Sequence, residues 1–272
     1  MTAAVSDRVL APFGARATRV VAAERHGAYI VLRCADPGGP RPAAGQFYML
    51  RAAERWGGGA DERPYLPRAF SVLRAPAHGH ELAFLIEDVG PGTERLCELG
   101  AGDDVLALGP LGIGFARPRE GRRPLLVGGG VGIAPLAIWQ DQLGEARVLL
   151  GFRDAEHAPG AGLLAGAVVA TDDGSVGHHG LVTELLAAAL DHDGHAEVYA
   201  CGPPPMLEAV RALCAEREVP AQLALESGMA CGYGACFGCV VATTEGYVRL
   251  CVDGPVLDAA RLETALTPGA GH

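Results

Sequence analysis

Near Gly121 the hydrophobic rhythm of this 272-residue chain changes, and that change constrains its fold more than any other feature. Before it, short apolar runs at 18–23, 28–34, 46–52, 69–73, 81–87 and 104–108 are bounded by Gly, Pro and Asp. Runs of that length and spacing predict an all-β barrel or sandwich, interrupted by one short helix over 93–99. After it, apolar runs at 124–127, 146–151, 167–171 and 197–200 alternate with helical stretches at 134–143, 181–190 and 205–217. Strand alternating with helix predicts a mostly parallel sheet covered on both faces. The last 47 residues hold half of the eight cysteines and are too few to build a large core alone. The expected domains are therefore 1–118, 119–225 and 226–272, the last held by something other than apolar burial.

That something is legible in the cysteines. Cys231, Cys236, Cys239 and Cys251 are spaced C-x4-C-x2-C-x11-C. The first three follow the spacing of plant-type ferredoxin loops, which hold a 2Fe–2S cluster with four thiolates, two per iron. Gly228, Gly232, Gly234 and Gly238 suit such a loop, because glycine accepts positive φ and lets backbone N–H groups approach the sulfides. A structural zinc site would use the same thiolates, but zinc sites more often come as two separated pairs. Cys34, Cys97 and Cys214 lie among apolar neighbours and read as small buried thiols without a role.

Composition removes several function classes. The net charge is −10, with no local basic patch, which argues against nucleic acid and anionic lipid as partners. All 22 basic residues are arginine, so the chain can neither form a pyridoxal Schiff base nor carry a P-loop lysine. Residues 1–14 lack the apolar core of a secretory leader, and the longest apolar stretch, 125–139, is shorter than a bilayer span and loosened by glycines. The expectation is a soluble, cytoplasmic protein without a membrane association, its thiols reduced.

Two glycine-rich turns suggest a nucleotide site. Val127-Gly-Gly-Gly-Val-Gly-Ile-Ala-Pro135 follows a strand and opens a helix, where a dinucleotide pyrophosphate can meet helix N–H groups. The strict G-x-G-x-x-G fingerprint is not satisfied, and tight helix–sheet packing explains the loop nearly as well. Cys201-Gly-Pro-Pro-Pro-Met206 ends a second strand, and two such turns on one parallel sheet make a crevice at its carboxyl edge. Arg153, after the strand at 146–151, would either meet a 2′-phosphate or pair with Asp154. His178 and His179, flanked by glycine, read as a solvated loop.

Through Arg68-Ala-Phe-Ser71, Gly130-Val-Gly-Ile-Ala-Pro135 and Cys201-Gly-Pro203 the chain resembles the ferredoxin–NADP reductase superfamily. Its cysteine loop and the segment Tyr247-Val-Arg-Leu-Cys-Val-Asp-Gly-Pro255 look like those of the electron-transfer subunits of class 1B dihydroorotate dehydrogenases. The resemblance implies a β-barrel FAD domain, an α/β parallel-sheet nucleotide-binding domain for NAD, and a small plant-ferredoxin-like 2Fe–2S domain. It places Arg68 on the FAD pyrophosphate, Ala69 and Phe70 along the flavin, and Ser71 near its reactive nitrogen. Many members have Tyr where Phe70 stands, so one hydroxyl contact is absent. It further places Gly92 and Thr93 at a flavin phosphate and Glu87 near the ribityl chain. Gly130, Gly132, Gly202 and Pro203 fall on the dinucleotide, Cys201 beside the nicotinamide, and Cys231, Cys236, Cys239 and Cys251 on the cluster.

The implied activity is electron transfer between NAD and the FMN of a dihydroorotate dehydrogenase catalytic subunit, through FAD and the cluster, within a heterotetramer. Exposed Met229, Tyr233 and Phe237 would then supply the partner's docking face. Two other readings share the same motifs. One is a reductase subunit of the same build serving a hydrogenase, a sulfide dehydrogenase or a ferredoxin; the other is a non-catalytic, zinc-stabilised nucleotide-binding module.

Overall fold

The computed structural model describes residues 14–57, 64–76 and 80–267. The stretch read above for a leader, 1–14, lies outside the described residues except for Gly14.

Six strands close an antiparallel barrel: β1 (Arg16–His26), β2 (Tyr29–Ala35), β3 (Phe47–Ala52), β4 (Arg68–Arg74), β5 (Glu81–Glu87) and β6 (Asp104–Leu111), in the order β1-β2-β5-β4-β3-β6. Alternation drives closure: in β1 Thr18 and Val20 turn inward between exposed neighbours, while Leu32, Tyr48, Leu50, Val72, Phe84 and Val105 fill the interior. Each such side chain contributes about 1.5–3 kcal/mol of burial. One short helix, α1 (Pro91–Cys97), crosses between β5 and β6.

The second unit is a seven-stranded sheet built on β7 (Arg123–Gly129), β8 (Arg147–Phe152), β9 (Val168–Thr171), β10 (His178–His179), β11 (Ala196–Cys201) and β12 (Ala221–Ala224). Its order is β10-β9-β8-β7-β11-β12, closed by a terminal strand β15 (Val256–Asp258). All neighbours are parallel except β12 and β15. The helices α2 (Ala134–Leu143), α3 (Val182–His192) and α4 (Pro204–Glu216) cover it. Every residue of α2 from Ala134 to Gln140 is buried, because this helix is caught between the sheet and β4 of the barrel. Phe115 of the connecting segment seals the seam: its ring lies 5.9 Å from Trp139 and 5.6 Å from Tyr199. Arg74 adds a polar tie, with Nε 3.1 Å from Asp141 and Nη2 2.6 Å from the Leu163 carbonyl.

The C-terminal segment forms a hairpin of β13 (Val240–Thr243) and β14 (Gly246–Arg249), a single-turn helix α5 (Leu250–Asp253), and β15. The sheet therefore crosses the expected boundary at residue 226. The reason β12 and β15 escape a sequence reading is length: four and three residues are too few to show a period. His178 and His179 are solvated as expected but form a strand pairing with β9 rather than a loop, and His178 Nε2 lies 2.7 Å from Glu184. No helix among the described residues is long and apolar enough to cross a membrane.

Candidate functional site

The candidate site has three features. The first is built by β4 and α1. Arg68 opens β4, donates from Nη1 to the Leu66 carbonyl at 2.7 Å, and lies 6.0 Å from the Trp56 ring centroid. Among the described residues no carboxylate pairs with it. Its guanidinium lies against Gly92, where a Cβ would fall 2.6 Å from Nε. No side chain caps α1, so the N–H groups of Gly92 and Thr93 open beside the Arg68 guanidinium. The Thr93 hydroxyl is committed, accepting from Val89 N–H and donating to the Gly90 carbonyl, both at 2.9 Å. The buried Trp56 indole N–H has no partner among the described residues. A cation, free helix N–H groups and an orphaned donor at one place suit an anionic, hydrogen-bonding cofactor such as a dinucleotide.

Further along β4, Ala69 pairs with Met49 and Ser71 with Phe47. Ala69 is exposed, Phe70 and Ser71 are half-buried, and the Ser71 hydroxyl has no partner among the described residues. These positions follow the strand away from Arg68.

The second feature is a cleft of about 440 Å³ between barrel and sheet. Its walls include Gly129, Gly130 and Val131 before α2, and Pro203 and Met206 after β11. Gly130 and Pro203 thus face the cleft as the motifs suggest. Gly132, Cys201 and Gly202 lie behind the wall, where a Cβ on Gly132 would meet the Cys201 carbonyl at 2.6 Å. These residues hold the two turns against each other. The Cys201 thiol is buried, and burial together with the Glu226 carboxylate pushes it well above the usual thiol range. It is a neutral group in the wall.

Glu87, at the end of β5, faces the same cleft. Its Oε1 lies 2.8 Å from Arg153 Nη2 and 3.2 Å from His157 Nε2, while His157 Nδ1 lies 2.6 Å from Asp154. Arg153 is therefore tied to the barrel as well as placed near Asp154, at 3.7 Å. Sequence reasoning did not place Tyr29, His157, Asp172 or Glu226 at this cleft, which they line. Tyr29 is fully buried, its ring edge-on to His157 at 5.6 Å, and its hydroxyl has no partner among the described residues. No sequence signal marks it, because a tyrosine in an apolar run reads as core.

Burial pushes the Glu226 carboxyl up to about 7 from the ordinary 4.5. A raised folded-state value means that Glu226 supports folding fully below about pH 4.5 and that this support is lost as pH rises through about 7. Glu226→Gln should then be nearly neutral at pH 5 and stabilising at pH 8, by up to about 3 kcal/mol. Melting curves of both proteins across that range check it; parallel pH profiles would refute it.

The third feature is the cysteine loop. Cys239 and Cys251 are buried with Sγ atoms 3.2 Å apart, while Cys231 is half-buried and Cys236 exposed. Burial opposes ionisation of Cys231, but the backbone N–H groups of Cys236, Tyr233 and Ala235 outweigh it and bring the thiol down to about 7. Burial, reinforced by the neighbouring Cys239, raises Cys251. The four thiols fall into two pairs, Cys231 with Cys236 and Cys239 with Cys251. Among the described residues no three His, Cys, Asp or Glu side chains gather as around a single ion. Paired thiols ringed by backbone N–H groups suit a two-iron cluster.

Gly232 and Gly234 take positive φ, at 80° and 87°, but the third left-handed residue is Phe237 (φ 59°) rather than Gly228 or Gly238. Gly232 presses on the barrel: a Cβ there would meet Met49 Cγ at 2.5 Å. Cys239 and Cys251 share one apolar cluster with Phe47, Met49 and Leu111. The cysteine loop is thus seated on the strand that pairs with Ser71. Tyr233 and Phe237 are exposed, and so is Tyr247, four-fifths of it. Met229, expected to be exposed, is half-buried against the core.

Comparison with known proteins follows the same division. Residues 226–263 match the family model for the iron–sulfur cluster binding domain of dihydroorotate dehydrogenase B. The chain is 37% identical over 224 residues to the dihydroorotate dehydrogenase B (NAD(+)), electron transfer subunit of Desulforamulus reducens, covering 78% of this chain and 83% of the relative. It is 35% identical over 222 residues to the protein of that name from Clostridium acetobutylicum, covering 80% and 85%. Among solved structures it resembles the NADH-dependent reduced ferredoxin-NADP oxidoreductase, with a TM-score of 0.77 and 25% identity over 93% of this chain and 92% of the other. A ferredoxin NADP+ reductase from Neisseria gonorrhoeae shares the fold at a TM-score of 0.60, with 20% identity over 76% and 92%.

Proposed function

Because the chain belongs to the family of dihydroorotate dehydrogenase B (NAD(+)) electron transfer subunits, we propose that it passes electrons between NAD and the FMN of a dihydroorotate-oxidising partner subunit. It would do so through FAD and a 2Fe–2S cluster, in pyrimidine biosynthesis. FAD supplies the conversion between a two-electron hydride and the single electrons an iron–sulfur cluster accepts. The observation that carries the reading is the seat of the cysteine loop on β3, whose Phe47 pairs with Ser71.

Each residue then has a task. Arg68 and the N–H groups of Gly92 and Thr93 hold the FAD pyrophosphate, with the Arg68 fork giving charge-assisted bonds. Phe70 and Ser71 carry the flavin, the Ser71 hydroxyl donating near its reactive nitrogen. Gly130 and Pro203 meet NAD in the cleft, while Gly132, Cys201 and Gly202 keep its two turns in register. Glu87 fixes Arg153 rather than reaching the ribityl chain. Cys231, Cys236, Cys239 and Cys251 ligate the irons. We propose 1–118, 119–225 and 226–272 as the FAD, NAD and 2Fe–2S domains, and a heterotetramer with the catalytic subunit, in the cytoplasm.

Purification without air, with flavin, iron and labile sulfide measured together, tests the cofactors. Co-expression with an FMN-containing dihydroorotate dehydrogenase subunit should give dihydroorotate-dependent NAD+ reduction. Zinc without sulfide, or no gain of that activity, would overturn the reading.

The exposed Tyr233, Phe237 and Tyr247 form the proposed docking face beside the loop. Glu245, in the turn between β13 and β14, lies 3.3 Å from Arg261 there. Glu245→Arg should slow electron transfer to the partner several-fold at low salt, with little change in NADH reduction of an artificial acceptor. Stopped-flow measurement of both steps checks this; an equal fall in both would refute it.

A further inference from the structure

Arg249 is held beside the cysteine loop by three contacts. It ends β14 opposite Val240, and its backbone N–H donates to Asp253 Oδ2 at 3.1 Å at the start of α5. Its guanidinium lies 5.2 Å from the Phe237 ring centroid, and Nη1 donates to the Gly234 carbonyl at 2.9 Å. Phe237 takes a left-handed backbone to present that ring, an unusual conformation for a bulky residue. Cys251, a proposed iron ligand, follows two residues later.

The Gly234 carbonyl belongs to the same peptide unit as the Ala235 N–H, within the loop that runs from Cys231 to Cys236. A cation on the oxygen of a peptide polarises its N–H, strengthening the bond that N–H gives. Arg249 therefore acts on the thiolates twice, through space as a fixed charge and through the peptide it grips. Hydrogen bonds to sulfur and local charge are the levers that set iron–sulfur potentials. Gaining an electron makes the thiolate and sulfide assembly one unit more negative, and a nearby cation favours that state.

We propose that Arg249 is a positioning residue that raises the electron affinity of the cluster held by Cys231, Cys236, Cys239 and Cys251, acting through its grip on Gly234 and Phe237. The proposal rests on the two-iron reading of that loop. It assigns Arg249 no ligand role and no contact with NAD or FAD.

The test is a redox titration of the full-length protein with dithionite, followed by electron paramagnetic resonance of the reduced cluster. Arg249→Gln keeps a donor for the Gly234 carbonyl and removes the charge. At a fixed poise its ratio of reduced to oxidised cluster should fall about tenfold, which is about 59 mV for one electron. Arg249→Lys, which keeps the charge, should stay within about threefold of the parent. A fully loaded Arg249→Gln protein with the parent's potential overturns the proposal. If that variant fails to hold iron, Phe237→Leu is decisive: it leaves the charge but frees the guanidinium from its ring. A downward shift of about threefold is expected there, and a fully loaded protein with no shift overturns the proposal. A parent protein without iron and sulfide would instead refute the two-iron reading itself.

Discussion

Cys251→Ser protein should purify without its iron and labile sulfide, whereas Cys97→Ser protein should keep both. Cys251 and Cys239 form the buried half of the thiol set, 3.2 Å apart in an apolar cluster with Met49 and Leu111. A serine there offers a hard, poorly ionised hydroxyl where a soft thiolate is needed, inside a wall that water cannot easily enter to replace it. Losing a mere supporting group around a metal costs roughly 10–100-fold in affinity, so losing a ligand should cost more. Cys97 is half-buried in α1, remote in the chain from the loop, and burial raises its thiol to about 11. Iron and sulfide analysis of the two variants, prepared side by side, decides the matter. Equal iron in both would remove Cys251 from the ligand set.

Arg68→Ala should lose FAD far more readily than Arg74→Ala. Both arginines bound β4, but their guanidinium groups do different things. Arg74 is half-buried and engaged by Asp141 and the Leu163 carbonyl, where it ties the barrel to α2. Arg68 has no carboxylate partner among the described residues and lies against Gly92 at the uncapped start of α1. A lost charge-assisted pair costs about 1.5–3 kcal/mol, which is roughly one to two decades of affinity. Arg74→Ala should lower the melting temperature without a comparable loss of flavin. Flavin content after gel filtration, with a titration of FAD into the stripped proteins, measures the difference. Equal retention would move the phosphate site elsewhere.

The barrel and the alternating sheet were legible because their strands and helices are long enough to show period two and period 3.6. The six runs before Gly121 became β1 to β6, and the three helices beyond it fall within two residues of their expected starts and ends. The ligand spacing was legible because it is a local pattern in one loop. What sequence could not give is where distant segments meet. Tyr29 and Glu87 come from the barrel, Arg153 and His157 from the segment after β8, and Glu226 from the segment after β12; only the closed structure brings them to one cleft. Of the four loop glycines expected to use positive φ only Gly232 and Gly234 do, while Phe237, whose ring meets the Arg249 guanidinium at 5.2 Å, takes that region where propensity disfavours it.

The three residues of β15 have a consequence for how such a chain can be rebuilt. They lie along β12 as its antiparallel neighbour, with Ala224 opposite Val256 and Gln222 opposite Asp258. Cutting the gene at Glu226 would strip β12 of that neighbour and leave a row of unpaired N–H and C=O groups open to a second molecule. The cysteine-bearing tail is not a detachable cartridge. A chimaera that borrows the tail of a relative must borrow a matching edge for the sheet with it, and a shortened protein made to study nucleotide binding alone should be expected to self-associate through β12.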